Sequence, residues 1–146
     1  MGMGGIALSM ISYIQSVADK VIDEYDNLNP IYIAKNLKRV EFKLLPLTEN
    51  INGFYEYRSP NRQLIVVNKD LYGEKFYLTL FHELSHYFLG HKNTLLLNSS
   101  VTMNLKEEYE ADLCGTCLYL QYVKQHRSHE DVIYPQRVCE LMKYFK

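Results

Sequence analysis

The chain has 146 residues, 47% of them hydrophobic and 23% charged, and a formal net charge of −1. That is the length of one domain, with enough apolar material for a core, and it excludes a disordered chain. The balanced charge argues against direct nucleic-acid binding, and no apolar run approaches the length that spans a bilayer.

Met1 to Met10 has no positively charged start and carries Gly2, Gly4 and Gly5. It reads as a flexible leader of residues 1–10 rather than a signal peptide. Residues 11–146 read as one domain. The three cysteines, Cys114, Cys117 and Cys139, are odd in number and lack framework spacing, which argues against a secreted disulfide scaffold and for a cytoplasmic protein.

Ile11, Ile14, Val17, Ala18, Val21, Ile22 and Tyr25 recur at helical spacing. Asn29-Pro30 opens a second, short helix, with Asn as cap and Pro at the first helical position. Its expected buried stripe is Ile31, Ala34 and Leu37. Lys35, Lys38, Arg39 and Lys43 form the densest basic cluster, which Glu41 interrupts, so it reads as a solvated face.

The period then changes. Residues 41–45 read as an edge strand stopped by Pro46. Residues 53–58, the turn Ser59-Pro60-Asn61-Arg62 and residues 63–68 read as a hairpin. The expectation is a small antiparallel sheet of about three strands. Helical spacing returns from Glu74 to Gly90, with Phe76, Tyr77, Leu80, Phe81, Leu84, Tyr87 and Phe88 filling most of the circumference, as in a buried helix. A further helix starts near Asn104, where Glu107 completes a capping-box-like pair, and a last one follows Tyr134-Pro135. Helices, a small sheet and helices again make an α+β domain.

The buried helix carries His82-Glu83-Leu84-Ser85-His86. Two histidines four apart leave the same face of a helix, one turn from each other, and can take two corners of a zinc tetrahedron. Glu83 is rotated off that line, placed to act as a base on a water rather than as a ligand. Such a metal lowers the pKa of a water and polarises a carbonyl, while Glu83 takes the water's proton. By chance alone this pattern arises in roughly 1% of chains of this size. Here its polar residues interrupt an apolar stretch, where burial is costly without a partner.

A catalytic zinc site needs a third protein ligand. A third histidine six residues after His86 is excluded, because Lys92 stands there, and Leu89 stands where that arrangement has glycine. His91 is one position off and reads as a cation at the helix C-terminus. Glu107, Glu108 and Glu110 all lie suitably along the next helix. Glu108 is the choice, because Asp112 follows four residues later on the same face and can accept the distal N–H of a ligating histidine. Glu107 reads as an ordinary helix-start acid.

Residues 82–91 together with Glu108-Tyr109-Glu110-Ala111-Asp112 resemble the ImmA/IrrE metallopeptidase family. So do Asn29-Pro30 with Ile33-Ala34 and Leu37, then Gly53-Phe54-Tyr55 and Ile65-Val66-Val67-Asn68. The resemblance covers roughly residues 11 to 120. It implies a gluzincin-like core with zinc on His82, His86 and Glu108, and Glu83 as base. It also implies a regulatory protease of phages or mobile elements that cuts a helix-turn-helix repressor. Family members commonly have Gly where Ser85 stands, and Cys114, Gly115, Thr116 and Cys117 depart from the usual small and aromatic residues.

Cys114 and Cys117 read as packed apolar side chains rather than a redox or zinc pair, and His126 and His129 as solvent-facing. Tyr55 and Tyr57 read as sheet packing. Two other functions compete with a zinc peptidase (another divalent ion being possible). One is a non-cleaving anti-repressor with a structural metal. The other is a metal-free helical regulator.

Overall fold

The structure, a computed structural model, describes residues 3–92, 105–127 and 132–145, with side chains from residue 8. Helix α1, Met3–Glu24, begins inside the segment expected as a leader. Helix α2, Pro30–Lys35, starts as the sequence predicts: the Asn29 side chain accepts a hydrogen bond from the Ile31 amide, and Pro30 needs no donor there. Its buried residues are Pro30, Ile33 and Ala34, followed by Leu37. Ile31 is only half-buried, so the stripe lies slightly off the expected one.

Three strands follow: β1, Val40–Leu45; β2, Gly53–Ser59; β3, Arg62–Asn68. β2 and β3 form the expected hairpin, with Tyr55 opposite Ile65. The sheet is mixed, however, not antiparallel. Its order is β1-β3-β2, and β1 runs parallel to β3, with Val40 beside Gln63 and Leu45 beside Asn68. The physical reason is the connection after Pro46. It carries the chain past β3's position to the far edge, and the hairpin then returns β3 into the middle. Asn68 pins that connection. Its Nδ2 donates to the carbonyls of Leu47 (3.3 Å) and Ile51 (3.1 Å), and its Oδ1 accepts from the Asp70 amide. Successive residues Ile65, Val66 and Val67 are all fully buried, so both faces of the central strand are covered.

Helix α3, Gly73–Phe88, lies against β2 and β3. Helix α4, Leu105–His126, packs between α1 and α3, which explains why its residues 113–119 are buried without interruption. The predicted cap Asn104 lies outside the described residues. Helix α5, Gln136–Leu141, and a 3-10 turn, Met142–Phe145, close against α4. At the far end of α3, Glu74 accepts hydrogen bonds from Tyr119 and Arg127, tying the two long helices together. Gln125 fastens α4 to the α1–α2 link, accepting from the Leu28 amide and donating to the Asp26 carbonyl. No helix among the described residues is long and apolar enough to cross a membrane.

Two glycines set close approaches. A Cβ on Gly53 stands 2.6 Å from the Val66 carbonyl oxygen, and a Cβ on Gly115 stands 3.2 Å from the backbone of His82. The first contact lies inside the hairpin and has no flexible side chain to yield. Gly53→Ala is therefore expected to destabilise the fold by about 1–3 kcal/mol through overpacking. Denaturant unfolding measures this; an unchanged midpoint with an unchanged slope refutes it.

Candidate metal centre

Helix α3 presents His82 and His86 from adjacent turns, and α4 brings Glu108 to them. One donor atom from each lies within 4.8 Å of the others. His82 Nε2 is 3.0 Å from Glu108 Oε1, and His86 Nε2 is 3.1 Å from Glu108 Oε2. Both Nε2 atoms thus face one carboxylate. Gly115 makes this possible: lacking a side chain, it lets α4 touch the backbone of α3 at His82 itself. The glycine in the segment that departs from the family pattern therefore sits directly behind the site.

The other nitrogen of each ring is held from behind. His82 Nδ1 lies 2.8 Å from Asp112 Oδ1. Asp112 is braced in turn by Arg137 of α5, whose Nε and Nη2 donate to Oδ2 at 3.1 and 3.0 Å. Nothing in the sequence pointed to Arg137. His86 Nδ1 lies 2.9 Å from His91 Nδ1, and His91 Nε2 lies 2.9 Å from Glu110 Oε1. Expected only as a cation at the helix C-terminus, His91 is 6% exposed and a buried partner of His86. Tyr55 of β2 stacks on the His86 ring with centroids 5.7 Å apart, and its hydroxyl donates to Gln63.

The position of His91 follows from how α3 ends. Gly90 takes φ +72°, a conformation that favours glycine. The Gly90 amide donates to the Tyr87 carbonyl and the His91 amide to the His86 carbonyl. That is a Schellman cap, in which the second residue beyond the cap folds back onto the last turn. Those two residues are His91 and His86. The readable signal was Gly90.

The donor set suits a divalent cation: two imidazole nitrogens and a carboxylate converge, and the rings are oriented by a carboxylate and a histidine. Burial lowers the pKa of His86 despite its bond to Glu108, which favours the neutral ring that a metal takes.

The other titratable groups of the site respond to the same contacts. Burial penalises a charged His82, but its bonds to Asp112 and Glu108 prevail and hold its pKa at about 10. Glu108 suffers the same penalty, yet His82 and His86 keep it well below the usual carboxylate range. Glu83 is 6% exposed, and burial raises it to about 7 against the pull of His82. Glu110 serves His91, and Glu107 stays in the first turn of α4. Ser85 is fully buried and donates to the Phe81 carbonyl one turn back, so serine is accommodated within the helix.

Cys114 and Cys117 are buried and free, as expected of packing residues. Burial pushes their thiols up to about 11 and about 12, far from the thiolate form that reacts. His126 is exposed on the last turn of α4, and His129 lies outside the described residues.

The family model described as IrrE N-terminal-like domain, of the M78 peptidases, matches residues 39–146, well over half of the chain. No curated protein and no solved structure matches it.

The relay on His86 yields a graded expectation. In His91→Gln, the amide can still accept from His86 and donate towards Glu110; in His91→Phe it can do neither. His91→Phe is expected to weaken zinc binding about 10- to 100-fold, and His91→Gln to recover much of that loss. Competition with a chromophoric chelator measures both. Equal affinities for wild type and His91→Phe exclude the orienting role.

Proposed function

The chain belongs to the IrrE N-terminal-like family of peptidases, and from that premise we propose that it is a zinc-dependent peptidase that cuts a protein partner. The observation that carries this reading is the convergence of His82, His86 and Glu108 beside the buried Glu83. His82, His86 and Glu108 would hold the ion, with their remaining ring nitrogens committed to Asp112 and His91. A divalent cation held there supplies a Lewis acid, which lowers the pKa of a water and polarises a scissile carbonyl.

The chain's own residues do the rest. Glu83 takes the proton from the attacking water and passes it to the departing amide nitrogen. Its burial suits both steps, because burial raises its proton affinity above that of an exposed carboxylate, and the protonated carboxyl can return the proton. Asp112, braced by Arg137, holds the His82 ring, and His91 with Glu110 holds that of His86. None of these four touches the reacting atoms; they are positioning residues.

The partner we propose is a helix-turn-helix transcriptional repressor encoded beside this chain in a phage or mobile element, cut in the cytoplasm. The resemblance of residues 82–91 and 108–112 to the ImmA/IrrE pattern supports this. A purely structural metal site gains nothing from Glu83, which disfavours a non-cleaving anti-repressor.

The decisive experiment incubates the full chain with the neighbouring repressor, with and without chelator. Cleavage is expected to need the metal. Glu83→Gln is expected to slow it by about 100- to 10,000-fold while metal content stays unchanged. Full-rate cleavage by that variant refutes Glu83 as base. An intact repressor held in a stable complex by wild type and variant alike supports a binding protein instead. Protein that holds no metal after reconstitution removes the catalytic reading altogether.

A further inference from the structure

Among the described strands β1 is an edge: in the order β1-β3-β2 it has a neighbour on one side only. The Arg39 carbonyl accepts from the Gln63 amide at 3.1 Å, and the Leu45 carbonyl from the Lys69 amide at 2.9 Å. The odd positions of this segment therefore turn their backbone groups to β3. Neighbouring residues of a strand turn theirs to opposite edges, so Val40, Phe42 and Leu44 turn theirs outward. No hydrogen bond among the described residues reaches them there. A row of unpaired N–H and C=O groups is a template for a further strand. Leu44 and Leu45 are 50% and 39% exposed along it.

The side chains specify which strand fits. Phe42 lies beside Ile65 and Ile65 beside Tyr55, which stacks on His86, so Val40, Phe42 and Leu44 point to the helix side of the sheet. Glu41 and Lys43 point to the other side, both exposed and 3.4 Å apart. A second copy of β1, added antiparallel about a two-fold axis, must set even positions against even positions, because only those carry free groups. An axis at Glu41 puts that carboxylate opposite its own copy, and an axis at Lys43 does the same for the ammonium. Like charges directly opposite are destabilising. An axis at Phe42 instead puts Glu41 opposite Lys43 of the second copy, and Lys43 opposite its Glu41. These become non-hydrogen-bonded pairs, in which side chains stand closest. Like charges then fall on the diagonals, about 7–8 Å apart, where they count for less. On the helix side Phe42 meets Phe42, and the exposed Leu44 meets Val40.

From this we infer that β1 is a dimerisation edge, to which a second copy of this chain adds antiparallel with Phe42 at the axis, joining two three-stranded sheets into one. The strand supplies its own charge complement, which selects a second copy over an unrelated peptide. β2, whose Tyr55 covers His86, lies at the opposite edge, so the pairing leaves each candidate metal centre at an outer end of the joined sheet. Neither metal nor cleavage enters the association. A six-residue edge buries less than a standard interface, which makes the dimer a weak one, with a dissociation constant of about 10–100 μM.

Sedimentation velocity on the full chain, from about 1 to about 500 μM, tests this. The wild type is expected to pass from monomer to dimer across that range. Glu41→Lys and Lys43→Glu each turn two attractions into two repulsions, and each is expected to weaken association by about tenfold or more. The double variant Glu41→Lys/Lys43→Glu restores the match at unchanged net charge and is expected to dimerise like the wild type. The two single variants, mixed, are expected to pair with each other better than either pairs with itself. Damage to the strand's own packing gives no such recovery.

Amide hydrogen exchange followed by NMR reads the register in the wild type, without any variant. The Phe42 and Leu44 amides are expected to slow by about fivefold between the lowest and highest concentrations, while those of Glu41, Lys43 and Leu45, already turned to β3, hold steady. A monomer at every concentration overturns the inference. So does a dimer that both single variants preserve, since it lies on another face. A double variant as weak as the single ones overturns the register, as does unchanged exchange at Phe42 in a dimer.

Discussion

His82 and His86 turn their Nε2 atoms onto the one carboxylate of Glu108, inside a largely buried site. Polar groups taken out of water are costly unless each meets a partner, and the rest of the site supplies those partners. Gly115 brings α4 close enough for Glu108 to reach both rings. Asp112 and Arg137 fix one ring, and His91 and Glu110 fix the other. Tyr55 covers the face of His86. These supports come from β2, the end of α3, α4 and α5, which is why the sheet, the two long helices and α5 must all be in place together.

Much of the architecture was legible because it depends on period. The 3.6-residue spacing of α1 and α3, the Asn29 cap and the turn at Ser59–Arg62 are local signals, and local geometry obeys them. The strand order was not legible. Alternation reports which face of a strand is buried, not which strand lies beside it. β1, β2 and β3 follow one another in the chain, so a meander was the natural reading. The seven residues from Pro46 to Asn52 instead carry the chain across the sheet, held there by Asn68.

The same division applies to the site. His82, Glu83 and His86 share one helix, and Glu108 and Asp112 share another, so spacing alone placed each set on one face. The distance between the two sets is tertiary, and the fold sets Asp112 against His82. Arg137 could not be found, because its helix carries no pattern that points at Asp112. His91 is the instructive case. Counting along a helix discards it, since it lies five residues past His86 and the helix has ended. Asking how the helix ends recovers it: a glycine just past the last turn reverses the chain, and the following residue lands beside His86.

The Schellman turn at Gly90 has a bearing on dynamics. Helices open first at their ends, and this end contains the hydrogen bond that orients His86. Unwinding one turn would release His91, free the imidazole and loosen whatever His86 grips. By linkage, anything that grips the closed form in return makes the unwound one rarer. The amides of Gly90 and His91, bonded back to Tyr87 and His86, are thus natural reporters of occupancy: their hydrogen exchange should slow as the site fills, with no substrate in the tube.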